Sequence, residues 1–333
     1  MAYTTIDNPE LYFQVKTYTG TGSSNALTLD GDENMQPDLV WIKERGGTAN
    51  HNLTDSVRLA TNYFTTNETD EEATAAETLK SFDSDGFTVG TSGGVNGSSD
   101  TYVAWCWKES ADAGFDIVSY AGNATNRTIS HSLSAVPHVM IMKNRTNAIK
   151  WVVYHHKNTS APETDHLQLN DGAATSDDDS TWNDTAPTSS VFSLKTSTSV
   201  NGSSANYIAY LFTAKQGFSK FGSYTGNGST DGPFVFCGFR PSWIMYKRTT
   251  DGSEGWVIQD NKVSPTNVSH LIQNANSSGA ETDSSNANLD FLSNGFKLRH
   301  NDTRGNTTGK TYIYMAFAES PFVNSNGVPT NAR

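Results

Sequence analysis

The chain has 333 residues, a hydrophobic fraction of 35%, 11% aromatic residues and a formal net charge of −12. That length exceeds one ordinary domain, and the aromatic content excludes a disordered chain despite the abundance of Ser, Thr, Asn, Gly and Asp. The acidity disfavours a nucleic-acid partner, because phosphate binding needs clustered Lys and Arg, and solubility alone accounts for it.

In chain order, Met1–Asn8 has no basic segment followed by an apolar one, so no signal peptide is visible. No apolar run approaches membrane-spanning length, so membrane insertion is not expected. Phe13–Gly22 alternates with period two into a Gly-rich turn and reads as strand then loop. Pro37–Arg45 is the next strand, with Leu39, Trp41 and Lys43 on one face and Val40, Ile42 and Glu44 on the other. Asn50–Arg58 follows. Asp70–Leu79 predicts the one short helix, with acids in its first turn. Phe82–Val89 reads as a hairpin around Asp85-Gly86, and Asn96-Gly97 as a second such turn. Tyr102–Trp107 is an unbroken apolar run, which fits a strand covered on both faces.

That run returns as Tyr207–Phe212 and Tyr312–Phe317. The spacing is 105 from Tyr102 to Tyr207 and 105 again from Tyr207 to Tyr312. A fixed long period of this kind marks copies of one unit. Between the runs the plan recurs. Phe115–Gly122, Pro137–Arg145, Trp151–His156 and Val191–Leu194 occupy the middle of the chain, with an acidic loop at Asp177–Asp179 and a turn at Asn201-Gly202. Phe218–Gly228, Pro241–Arg248, Trp256–Asp260 and the hairpin Phe291–Leu298 follow, and the tail from Ser320 to Arg333 is expected to be irregular. The expected domains are therefore 1–112, 113–216 and 217–333. Each is long enough to bury its own core. The links Glu109–Gly114 and Thr213–Gly217 are too short for loosely strung beads.

Short strands, Asn-Gly and Asp-Gly turns and little helix predict an all-β chain of three tandem β-sandwich repeats of roughly 100 residues each. A jelly-roll or concanavalin-like sandwich is the first expectation and an immunoglobulin-like one the second. Cys106 and Cys237 occupy non-equivalent places, so both are expected as buried free thiols.

Adjacent strand residues face opposite ways, so His155 and His156 cannot share a metal unless a turn converges them. Asp30–Asn34, Asp83–Asp85 and Asp177–Asp179 offer oxygens, but none has the spaced loop ending in a bidentate Glu, so solvated turns are expected and not calcium sites. Gly20–Gly22 and Gly226–Gly228 precede no helix and lack the Gly-Lys ending of a phosphate loop. The many Asn-X-Ser/Thr triplets arise by chance in such a composition. No nucleophile lies beside an oriented base, so no catalytic residue, metal or cofactor is expected. The recurring polar set is Lys43, Lys143 and Lys247, with Arg45, Arg145 and Arg248 near the same strand ends. Two readings are open: exposed strand ends paired to nearby acids, or a repeated contact point for an acidic partner surface.

Four stretches of the first unit, Pro37–Arg45 (PDLVWIKER), His51–Arg58 (HNLTDSVR), Ser81–Val89 (SFDSDGFTV) and Val95–Lys108 (VNGSSDTYVAWCWK), together with the ending Thr311–Phe322 (TYIYMAFAESPF), resemble a repeated domain of uncharacterised function. That domain is common in virion proteins of tailed phages, notably marine ones, and the resemblance covers nearly the whole chain. It implies a non-enzymatic phage structural protein, located on the virion and assembled in the host cytoplasm, whose partners are the major capsid protein or tail proteins. No anchor segment or heptad run is visible before the first strand. A capsid decoration protein is therefore the first expectation, and a tail fibre or spike recognising host surface carbohydrate the second. A carbohydrate-cleaving enzyme is the third, weakened by the lack of paired acids.

Overall fold

The computed structural model describes residues 2–252 and 254–331. Among these the chain is all-β, with several antiparallel sheets. Three sheets have six strands each. The first runs, in spatial order, Phe13–Thr19, Thr101–Trp107, Leu39–Glu44, Asn52–Asp55, Asn62–Phe64 and Ala73–Thr74. The second runs Phe115–Ala121, Asn206–Phe212, Val139–Asn144, Val152–His155, Asp165–Gln168 and Ser176–Asp177. The third runs Ser219–Thr225, Thr311–Pro321, Phe239–Arg248, Val257–Asp260, Leu271–Asn274 and Thr282–Asp283. The long apolar run lies second in each order, paired on both edges. We call each large sheet with its small companion sheet a unit.

The companions are short. Asn25–Thr28, Gly86–Val89 and Leu79–Asp83 form the first, Arg127–Ser130 and Val191–Leu194 the second, and Phe234–Phe236, Gly295–Leu298 and Leu289–Leu292 the third. Period-two alternation then decides what each face of a large sheet meets. In the first central strand, Tyr102, Ala104 and Cys106 pack against Leu27, Leu79, Phe87 and Val89 of the companion. Val103, Trp105 and Trp107 point the other way. There they join Ile208, Tyr210 and Phe212 of the second sheet and Ile313, Met315 and Phe317 of the third in one shared core. The units thus pack back to back around a common interior, with the small sheets outermost, a sandwich-like arrangement of layers. Both cysteines are free and buried.

Aromatic contacts run across this interior. Trp107 and Trp243 are 5.6 Å apart edge-on, Phe13 stacks on Phe317 at 5.1 Å, and Phe212 meets Phe317 at 6.0 Å. Each such pair contributes about 0.5–1.5 kcal/mol beyond its buried area, so the interior favours one relative placement of the three sheets.

Two local expectations are corrected. Asp70–Leu79 forms no helix; Ala73–Thr74 is instead the edge strand of the first large sheet. The acids that suggest a helix start are used otherwise: the Glu72 amide donates to the Arg145 carbonyl and its carboxylate pairs with Arg145 and Arg58. Tertiary contacts outweigh a weak helical preference here. The tail is also more ordered than expected, because Ser320 and Pro321 extend the third central strand and Val323 bridges to Pro329, while Ala332 and Arg333 lie outside the described residues. Both hairpins form, but the turn lies one residue earlier than expected: Asp83 pairs with Gly86 and Leu292 with Gly295, so Ser84-Asp85 and Ser293-Asn294 are the central residues and each glycine begins the returning strand.

Trp105 tests the shared interior directly. It is fully buried, and its indole Nε1 donates to Asp260 of the third unit at 3.0 Å. Trp105→Ala should lower the unfolding free energy in urea by about 3–5 kcal/mol, as large-to-small core changes do. Trp105→Phe keeps most of the volume but strands Asp260, and should cost about 1–3 kcal/mol. A loss below about 1 kcal/mol for the alanine variant would contradict a common core.

Candidate functional site

The structure places the recurring lysines inside the protein. Lys43, Lys143 and Lys247 are buried, against the expectation of exposed strand ends or partner contacts. Each ammonium caps backbone carbonyls. Lys43 Nζ donates to Glu44 at 2.7 Å and Gly47 at 3.3 Å. Lys143 Nζ donates to Thr69, Asn144 and Ile149 at 3.0, 3.2 and 2.7 Å. Lys247 Nζ donates to Gly172 at 3.0 Å and Arg248 at 2.9 Å. Thr69 belongs to the first unit and Gly172 to the second, so two of the lysines pin a neighbouring unit's loop. Burial pulls all three pKa values down to about 8. The physical reason for the correction is that the side chains lie on the strand's covered inner face, with a loop of the preceding unit over Lys143 and Lys247, which no local pattern reports.

The arginines do find acids, across the joints between units. Arg145 holds Glu72 with two bonds of 3.0 and 2.9 Å, and Arg45 holds Glu281 with two of 2.8 and 3.0 Å. Arg248 instead donates to the Asp251 carbonyl, and Thr175 stands at the matching joint. A backbone bond accompanies each place: Glu72 to Arg145, Thr175 to Thr249 and Glu281 to Arg45.

A second polar layer lies deeper. Tyr210 donates to Asp55 at 2.7 Å, and the buried Arg58 guanidinium pairs with the same carboxylate and with Glu72, its carbon 4.1 Å from the Phe64 ring centre. At the corresponding place between the first and third units, Trp105 donates to Asp260. Between the second and third units the central strand carries Met315, which has no donor, and the facing residue is His155, whose Nε2 meets the Tyr314 carbonyl at 3.2 Å. An acid thus stands where a donor faces it, and a histidine where none does. Burial pushes Asp260 up to about 6 and pulls His155 down to about 3. For Glu72, burial opposes the charge, but Arg145 and Arg58 more than offset it and hold the carboxyl below its usual range.

These groups have structural partners. His156 meets the Phe221 carbonyl at 3.0 Å, a separate contact from that of His155. Among the described residues no group of three or more His, Cys, Asp or Glu is placed to hold a metal ion. The acidic turns bond backbone amides: Asp85 accepts from the Met35 amide of another loop, and Asp178 caps the short helix Asp179–Trp182.

One recurring device escaped the sequence reading. Asn96, read as a turn residue, closes a single helical turn, Gly93–Asn96, and clamps loops through its side chain to Thr21, Ser23 and Gly90. Asn201 does the same with Asn123, Thr125 and Lys195, and Asn306 with Asn227, Ser229 and His300. The tyrosine that opens each apolar run closes the same loop, its hydroxyl accepting from Gly97, Gly202 or Thr307. The readable signal was the constant step from each Asn to its Tyr.

The outer faces differ. Phe234 and Phe236, 44% and 51% exposed, stand on the third companion sheet, where Ala26 and Thr28, or Thr128 and Ser130, stand on the others. Lys220 lies 5.0 Å from the Phe236 ring centre, and Lys297 is paired across from Phe234 on the same face.

Fold and site together define an all-β, sandwich-like protein in which Lys143, Lys247, Arg45 and Arg145 bind adjoining units to one another. The chain belongs to the family described as Domain of unknown function (DUF7483), whose sequence profile matches residues 8–321. Comparison with curated proteins finds no match.

The buried lysines and histidines give two measurable consequences. Lys143→Met keeps the aliphatic stem but leaves three carbonyls without a donor, and should lower stability in urea by about 1–3 kcal/mol; an unchanged midpoint would mean that the carbonyls find other donors. For pH, burial pulls His51 and His155 down to about 3 and His138, His166 and His300 to about 4. Between those values and the ordinary value of about 6.5 the unfolded chain binds more protons, so stability falls as pH drops through the window. Glu109 and Asp260, raised to about 7 and about 6, act with the opposite sign. Five shifted histidines outweigh two carboxylates. The urea midpoint should therefore be lower at pH about 4.5 than at pH about 7, and the difference should shrink in His138→Gln. A flat profile would contradict this.

Proposed function

We propose that the protein is a non-enzymatic structural component of a tailed-phage particle, built from three tandem copies of one β-sandwich unit spanning 1–112, 113–216 and 217–333, and that it decorates the capsid surface. The phage assignment rests on the sequence resemblance. The observation that supports the structural role is the use of Lys143, Lys247, Arg45 and Arg145, whose side chains bond across the joints and hold the units in one block. A single chain with three units around a common interior suits a threefold or quasi-threefold position on a shell. The third unit's outer face, with Phe234, Phe236, Lys220 and Lys297, is the contact region we assign to the capsid protein. It offers apolar area and cations in a chain of net charge −12, complementary to an acidic, partly apolar shell surface.

The second reading is a tail fibre or spike that binds host carbohydrate. Aromatic platforms for sugars need exposed Trp or Tyr over a groove. Here all seven tryptophans are buried and no tyrosine is more than half-exposed, Tyr3, Tyr12, Tyr18 and Tyr63 being half-buried and the rest buried, which favours decoration.

Gold labelling of intact particles decides between the two. Label scattered over the head is expected, and particles lacking the protein should assemble but lose DNA on heating or in low salt, because binding stabilises only the assembled shell. Phe234→Ser with Phe236→Ser should weaken particle binding while leaving the unfolding free energy in urea within about 0.5 kcal/mol of the parent. Label confined to the tail, with host adsorption blocked by the purified protein, would overturn decoration in favour of receptor binding.

A further inference from the structure

The three joints between units are not alike, and one of them holds an unfilled cleft. At the first joint the link Glu109–Gly114 crosses, and the Glu109 carboxylate accepts from the Ile117 amide at 3.1 Å while the Glu109 amide donates to Asp38. At the second joint Thr213–Gly217 crosses. There His138 and His156 lie with ring centres 4.3 Å apart, His156 Nε2 meets the Phe221 carbonyl, and the Ala214 amide donates to His138. Ile117 and Phe221 hold the same strand register, facing Tyr210 and Met315 of their central strands. At both joints, then, the free edge of the opening strand is met by a side chain from the unit before it.

At the third joint the residue in that register is Val15, which faces Trp105. Its outward backbone edge looks into a cleft of about 220 Å³ lined by both the first and third units. The fillers found elsewhere have changed. Ser242 and Asn261 replace the two histidine rings. Glu319, the counterpart of Glu109, lies against Arg240 in its own unit. Ser242 turns its hydroxyl to the Phe317 carbonyl at 3.4 Å, and the Gln14 amide is fully used by Glu10, Glu33 and Gly31. The Glu10 carboxylate accepts from the Asp32 amide. The Asn261 backbone amide donates to the Ser242 carbonyl; among the described residues no hydrogen bond is made by Lys262 Nζ or the Asn261 side-chain amide, and Arg240 Nε, despite its short approach to Glu319, donates no well-aligned one. The cleft therefore combines an outward strand edge with three such donors, two of them on cationic side chains, Lys262 and the Glu319-paired Arg240.

We propose that this cleft binds a carboxylate, which accepts from the Val15 amide as Glu109 does from Ile117 and is held by Lys262 and Asn261. Charge-assisted acceptance from a backbone amide is among the stronger hydrogen bonds, and the volume admits the carboxylate with its adjoining chain. The source is either an acidic residue of a partner polypeptide or a small free carboxylate. The inference does not depend on where the protein is located.

The test uses the full chain, labelled with nitrogen-15, and follows the Val15 amide resonance. The probes are the capped peptide Ala-Glu-Ser-Ala, its Ala-Gln-Ser-Ala analogue and sodium acetate. A saturable shift with the Glu peptide, at least about tenfold weaker with the Gln analogue, is expected. Lys262→Gln should weaken it similarly, and Ser242→His with Asn261→His, which rebuilds the filled second joint, should abolish it. Lys262 is exposed, so that variant retains its fold even if the double variant does not. Acetate acting alone identifies a free carboxylate as sufficient, and response to the peptide alone identifies a polypeptide. No shift at Val15, equal response to both peptides, or binding that survives Lys262→Gln would overturn the proposal.

Discussion

Each large sheet is apolar on both faces, and that constraint organises the molecule. A sheet with one apolar face is satisfied by a single layer. Here the side chains of Tyr102, Ala104 and Cys106 need cover as much as those of Val103, Trp105 and Trp107 do. A small companion sheet supplies the first cover. The second comes only from the other two large sheets, because the common interior draws on Trp105, Tyr210, Met315 and their neighbours together. Removing one unit would expose the inner faces of the remaining two.

An apolar interior of this size does not by itself choose one arrangement, since hydrophobic burial is non-directional. Direction comes from the polar groups at its rim. Tyr210 with Asp55, Trp105 with Asp260, and His155 with the Tyr314 carbonyl each satisfy a buried group across a joint. A displaced unit would leave those groups unbonded at a cost of roughly 1–3 kcal/mol each. The pairing is matched within the chain: the acid disappears where the facing residue loses its donor. The buried lysines act in the same way, exchanging water for carbonyls of adjoining loops.

The fold was legible where the signal is local or periodic. Tyr102–Trp107 and its two later counterparts are strands covered on both faces, the hairpins at Asp83–Gly86 and Leu292–Gly295 form, and Cys106 and Cys237 are buried. The candidate site was legible in membership but not in meaning. Lys43, Lys143 and Lys247 do share one structural place, yet they face inward, and their partners Thr69 and Gly172 lie far away in sequence. The acids at Asp70–Glu72 suggested a helix start because the arginine that holds Glu72 comes from another unit.

The sequence by itself determined that the long apolar runs are strands, that they are buried on both sides, and the long spacing at which those runs recur. Side-chain alternation is a property of the backbone, so it can be read from adjacent residues alone. Only the tertiary structure decided which surface covers each face, whether a lysine at a strand end meets water or a carbonyl, and that one joint is left with a cleft where the others are filled. Those outcomes depend on contacts between residues distant along the chain, and burial in such a contact reverses what a charged residue means: the same ammonium that would face a partner at the surface becomes, once covered, an internal cap.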